Sequence, residues 1–159
     1  MATENNNLSL FNKEEIPNAG IMRFGIVVAN WNEEVTNGLL QGAKQTLLEC
    51  GALESNINVM EVPGSFELVF GAKLMNKQKV DAIICLGSVI QGETKHFDFV
   101  CNAVSLGIKD LNIHLDIPVI FGVLTDNNLQ QAKDRSGGRH GNKGVEAAIT
   151  AIKMVLLNR

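Results

Sequence analysis

Gly92, Thr94, Lys95 and His96 are the residues whose types and order most readily do chemistry. An apolar run over 81–86 reads as a strand, Gly87 and Ser88 break it, Gly92 turns the chain again, and a helix pattern begins at Thr94. A strand, a glycine turn and a helix start aim backbone N–H groups at an anion. Thr94 adds a hydroxyl and an N–H for a phosphate. A histidine beside such a turn can act as general acid or base near neutral pH. The alternative is an ordinary solvated first turn.

Three further groups are candidates. Trp31, the single tryptophan, stands between Asn30 and Asn32 at the end of an apolar run. It offers either a cap over the core edge or a face on which a planar heterocycle stacks. Gly64, Ser65, Phe66 and Glu67 place a hydroxyl, an aromatic ring and a carboxylate at a helix start. Helix capping alone explains Ser65 and Glu67, and a hydroxyl-rich ligand would need the same groups. Arg135 and Lys143 bracket a basic, glycine-rich segment over 135–144. Arginine suits bidentate phosphate contact; the alternative is a mobile basic loop.

The elements that must position these groups follow from periodicity. Residues 23–29 form a short β-branched run, a buried strand. Asn32 can cap the next helix, which shows Val35, Leu39, Ala43 and Leu47 at helical spacing and ends near Cys50 at Gly51. A second strand is predicted over 57–62. Pro63-Gly64 breaks it, and Ser65 can cap a helix over 66–77. The third strand spans 79–86. The helix from Thr94 to about Asp110 carries Phe97, Val100, Val104 and Ile108 on one face. A fourth strand over 117–124, a short helix over 128–134 and a helix over 145–157 complete the chain. Alternating strands and helices give a parallel sheet covered on both faces. Ligands in such sheets sit outside the carboxyl ends of the strands. That places Trp31, the 63–67 segment, the 87–96 segment and Leu124-Thr125 on one rim.

Bulk properties narrow the class. The chain has 159 residues and a net charge of −3, so one domain over 21–159 is expected, without the basic patch of a nucleic-acid protein. No run approaches the roughly 20 apolar residues of a membrane span. Residues 1–20 read as an arm, Asn-rich, with Leu8, Leu10 and Phe11 to dock on a neighbouring subunit. The N-terminus lacks a signal-peptide layout, and the three cysteines, Cys50, Cys85 and Cys101, form no CxxC pair; reduced thiols in a cytoplasmic protein are expected. His96, His114 and His140 are not at metal-ligand spacing. P-loop, GxSxG and GxGxxG patterns do not occur, and a phospho-receiver would need an acidic residue where Gly87-Ser88 stands.

Taken together, Ala29-Asn30-Trp31-Asn32, Val62-Pro63-Gly64-Ser65-Phe66-Glu67, the stretch from Gly87 through His96 to Asp98, and Gly141-Asn142-Lys143-Gly144 resemble the 6,7-dimethyl-8-ribityllumazine synthase family. The resemblance runs from about Ile21 to the C-terminus, in the family's order. It implies a three-layer α/β/α sandwich, flavodoxin-like, with a four-stranded parallel sheet. It implies the penultimate step of riboflavin biosynthesis, a transferase reaction. 5-Amino-6-(D-ribitylamino)uracil condenses with 3,4-dihydroxy-2-butanone 4-phosphate, releasing phosphate and water, with no metal or redox cofactor.

The same resemblance implies residue roles. Trp31 stacks on the pyrimidine. Ser65, Phe66 and Glu67 hold the ribityl chain and ring, and the backbone of Val89 and Ile90 faces the pyrimidine. Gly92, Glu93 and Thr94 form the phosphate turn, and His96 transfers protons. Phe121, Arg135 and Lys143 come from the neighbouring subunit of a homopentamer. Twelve such pentamers form an icosahedral capsid in some members, with riboflavin synthase as an expected partner. Two departures stand out: Val69 replaces the family's usual Pro, and Arg139-His140 sits in the last loop. The 135–144 loop carries no extra residues of the kind seen in members confined to pentamers, which favours the larger shell; Pro17 in the arm leaves assembly open. A fold-sharing binding or shell protein without turnover is the rival from another class.

Overall fold

The computed structural model describes residue 7 and residues 9–158. Four strands, β1 (Phe24–Ala29), β2 (Ile57–Val62), β3 (Ala82–Ile90) and β4 (Val119–Asp126), form one parallel sheet in the order β2-β1-β3-β4. Every β1 residue is buried, as a central strand covered on both faces requires. Its side chains alternate between two cores. Phe24, Ile26 and Val28 pack with Val35, Leu39, Ala43 and Leu47 of α1 (Glu33–Glu49) and with Ala148, Ala151 and Ile152 of α5 (Lys143–Leu157). Val27 and Ala29 face Leu68, Ala72 and Met75 of α2 (Leu68–Met75) and Val104 and Ile108 of α3 (His96–His114). The period of two along the strand thus builds the predicted three-layer, flavodoxin-like α/β/α sandwich.

The local boundaries differ from expectation in instructive ways. β3 does not break at Gly87-Ser88. It continues to Ile90 because β4 supplies ladder partners out to the Ile90–Asp126 pair, and a paired neighbour outweighs a local turn signal. The fourth strand is shifted two residues toward the C-terminus for the same reason. The α3 helix starts at His96, two residues later than predicted, and runs on to His114. Phe97 lines a surface cavity, while Val104 and Ile108 carry the buried face. The segment 135–144 is no open loop: Ser136–Gly138 (β5) pairs antiparallel with Gly141–Asn142 (β6).

Two caps also differ. Asn32 precedes α1 in the left-handed conformation, φ 61°, and makes no side-chain cap. Asparagine tolerates that backbone, and its amide instead donates to the Ser88 carbonyl at 3.0 Å. Ser65 caps nothing; 3₁₀ turns at Ser65–Glu67 and Asn76–Gln78 flank a shorter α2. Gly51, at φ +96°, ends α1 as expected, since that backbone favours glycine. Asn128 caps α4 (Leu129–Asp134) by accepting from the Gln131 N–H at 3.0 Å.

Within the arm, Leu8 lies outside the described residues. Phe11 and Ile16 pack against the core cluster, Ala19 is buried, and Leu10 is exposed. None of the three cysteines is joined in a disulfide, and burial pushes the Cys85 thiol up to about 12. Among the described residues no helix is long and apolar enough to cross a membrane.

Candidate active site

The carboxyl ends of β1, β2 and β3 and the first turn of α3 enclose a cavity of about 570 Å³. It is lined by Trp31, Pro63, Gly64, Ser65, Phe66, Glu67, Ser88, Val89, Ile90, Gly92, Thr94, His96, Phe97 and Val100. Sequence positions more than sixty apart therefore converge at the rim where open parallel sheets bind ligands.

Backbone bonds tie the rim together. The Asn30 N–H donates to the Val62 carbonyl at 2.8 Å, and the Trp31 N–H to the Pro63 carbonyl at 3.1 Å. With the Asn32–Ser88 bond, these hold the exits of three strands in fixed relation. Trp31 is 71% exposed, so its ring covers little of its own core and presents a face to the cavity. Ser65 and Ser88 are buried, and their Oγ atoms have no hydrogen-bond partner. Buried hydroxyls without partners are uncommon, and here both belong to cavity-lining residues. The sequence places Ser88 on the rim within the 87–96 segment but gives it no role, because its burial follows from β3 continuing to Ile90.

Gly92 and Thr94 form an exposed turn before α3. The Thr94 hydroxyl accepts from the His96 N–H at 3.4 Å, which fixes the start of the helix that presents the imidazole. Glu93 lies between them, exposed, and does not line the cavity.

Phe121, Arg135 and Lys143 are not brought to this cavity within one chain. Phe121, on edge strand β4, and Lys143, at the start of α5, line a second depression of about 360 Å³. Lys143 is ion-paired with Glu146. Arg135 follows α4, and its Nη1 donates to Oδ1 of Asp126 at 2.8 Å. Its carbonyl accepts from the Lys143 N–H at 2.9 Å, so the two cationic residues are tied together through the backbone. Asn142 anchors the same corner, donating to the Gly38 carbonyl at 2.8 Å and accepting from the Gly144 N–H at 2.8 Å.

Comparison with known proteins now decides the family. A family model described as 6,7-dimethyl-8-ribityllumazine synthase matches residues 21–159. The chain is 61% identical to the 6,7-dimethyl-8-ribityllumazine synthase of Christiangramia forsetii, over all of this chain and 96% of that protein. It is 61% identical to that of Flavobacterium johnsoniae, over all of this chain and 84% of that protein. It is 49% identical to that of Porphyromonas gingivalis, over all of this chain and 99% of that protein. The chain belongs to the 6,7-dimethyl-8-ribityllumazine synthase family.

Every group singled out above, from Trp31 to Lys143, lies inside the segment matched by the lumazine synthase family. In lumazine synthase terms the chain splits its groups between two places. Trp31, the 63–67 segment, Val89, Ile90, Thr94 and His96 share one cavity, and Phe121, Arg135 and Lys143 sit elsewhere on the same chain.

Proposed function

We propose that the cavity is one half of an active site shared by adjacent copies of the chain, which forms 6,7-dimethyl-8-ribityllumazine in riboflavin biosynthesis. Trp31 stacks on the pyrimidine of 5-amino-6-(D-ribitylamino)uracil, and the backbone of Val89 and Ile90 meets the ring edge. Ser65, Phe66 and Glu67 hold the ribityl chain. The 92–94 turn, with Glu93 contributing through its backbone, holds the phosphate of 3,4-dihydroxy-2-butanone 4-phosphate. Phe121, Arg135 and Lys143 of the adjacent copy close the site.

The chemistry follows from this placement. The ring amine attacks the ketone, and the gain comes mostly from holding both reactants together. Loss of water from the carbinolamine gives an imine. Elimination then expels phosphate, whose negative charge is met by Arg135 and by backbone N–H groups. Ring closure loses water again. His96 carries protons between these steps, a role matched to an imidazole near neutral pH.

One observation carries the reading. The polar and aromatic groups line a single cavity, while the cations that a phosphate substrate needs are fixed elsewhere, held from behind by Asp126 and Glu146. The chain also exposes Phe66, Phe70, Phe99, Leu106 and Ile113. The last three recur every seven residues along one side of α3, an apolar stripe that a neighbouring copy would cover. We place the chain in a homopentamer in the cytoplasm, with the larger capsid and enclosed riboflavin synthase as the further assembly.

Mixed assemblies test the sharing. Trp31→Ala and Arg135→Ala subunits, unfolded together and reassembled, place both intact residues at about a quarter of interfaces. Activity above the mean of the two parent assemblies is expected at low substrate. Activity equal to that mean, in assemblies shown to be mixed, refutes a shared site.

A further inference from the structure

We infer that Asp126 is a positioning residue for this reaction, holding the Arg135 guanidinium and the phosphate turn of the cavity in register. The inference rests on the shared-site reading.

Asp126 ends β4 and is only 4% exposed. Three bonds radiate from this residue and its partner. Its carbonyl accepts from the Gln91 N–H at 2.9 Å, which fixes the chain where β3 leaves the sheet for the 92–94 turn. Its Oδ1 accepts from Arg135 Nη1 at 2.8 Å. The Arg135 carbonyl in turn accepts from the Lys143 N–H. One buried residue therefore joins the phosphate turn of its own cavity to both cations offered to the next.

The ion pair is not built as a pure stabiliser would be. Arginine and carboxylate usually meet through two parallel bonds. Here only Nη1 and Oδ1 meet; Asp126 Oδ2 and Arg135 Nε are both buried without a partner. Leaving buried charged atoms unsatisfied is costly. The single contact anchors the guanidinium at Nη1 and leaves its other nitrogens uncommitted to Asp126, while the Arg135 side chain stays one-fifth exposed, at 20%. Other pairs among the described residues are more open: Glu34 opposite Lys133 is 71% exposed, and Arg139 opposite Asp134 is 69% exposed. Asp134 is also buried, but its partner Arg139 is not; the Asp126–Arg135 pair, at 4% and 20%, has both side chains largely out of solvent.

The test is Asp126→Asn, which keeps the shape and an acceptor but removes the charge. KM for the butanone phosphate should rise about tenfold, the size of one charge-assisted bond, with KM for the pyrimidine within about twofold. In an Arg135→Ala background the same change should add less than about twofold, because both act through one group. Equal rises in both KM values, a fall in KM for the phosphate substrate, or additive effects would overturn the inference. Arg135→Ala separates the two claims. If it raises the phosphate KM and Asp126→Asn does not, only the inference fails. If Arg135→Ala itself has no effect, the shared-site role of Arg135 fails and takes the inference with it. Asp126→Ser, smaller and neutral, gives the same readouts should the asparagine variant not fold.

Discussion

Replacing Trp31 by alanine should weaken pyrimidine binding and leave folding nearly untouched. The indole is 71% exposed, and a side chain that covers so little of its own core contributes about 0.5 kcal/mol or less to stability. A stacked heterocycle would bury one face of the indole, on the order of 80 Å², worth about 2 kcal/mol at about 25 cal/mol per Å². That is roughly a thirtyfold rise in the dissociation constant. Trp31→Phe keeps a smaller face and should cost about threefold. The chain has one Trp and no Tyr, so its emission reports Trp31 alone. Titrating the pyrimidine into wild-type protein should quench that emission, and calorimetric titration should give the affinity of each variant. Emission indifferent to saturating pyrimidine would refute the stacking role. So would a large fall in melting temperature for Trp31→Ala with unchanged affinity, which would return Trp31 to capping the core.

Two further outcomes are expected. His96→Ala should lower kcat by one to two orders of magnitude, about the size of a general acid–base contribution, while both KM values change little; an unchanged kcat in steady-state assays removes His96 from the mechanism. Gly144→Ala should lower the melting temperature by about 10 °C, because the added Cβ would lie 2.0 Å from the Leu39 carbonyl oxygen, and a backbone clash of that kind costs about 3 kcal/mol; calorimetry showing no shift would mean that α1 and α5 can separate freely.

What was legible in the sequence was whatever depends on neighbours along the chain or on a periodic face. The β-branched 23–29 run, the i, i+4 series from Val35 to Leu47 and the Gly51 stop all carry their own cause, and each formed as read. The rim blocks around Trp31, Gly64 and His96 were legible because their residue types are uncommon at strand ends and occur in a known order. What stayed hidden depends on distant partners. Gly87-Ser88 reads as a break until β4 is known to extend alongside it to Asp126. Asn32 reads as a cap until Ser88 offers a carbonyl 56 residues away. The 135–144 segment reads as a loop because its hairpin is two or three residues a side and is held by Asn142 reaching Gly38. Asp126 carries no signal at all: an acid after an apolar run looks like a solvated strand end, and only the return of Arg135 buries and pairs it.

That last pattern bears on why a condensation would be divided between copies. A single chain can hold a flat ring rigidly, because strand exits bonded to one another fix Trp31 and Ser88 within one frame. Holding a phosphate beside that ring needs a cation, and a cation free to swing in an open cavity would lose in side-chain entropy much of what it gains in charge. Here Arg135 and Lys143 are each paired with a carboxylate on their own chain before any substrate arrives. Their orientation is settled on folding, so in a shared site assembly would deliver them already ordered. Under the shared-site proposal, orientation of the two reactants would be a property of the interface, and the rate gain from proximity would be drawn from subunit packing rather than from loop closure. On this reasoning a separated but folded subunit still binds the pyrimidine on Trp31, yet lacks the cations that hold its reaction partner in place.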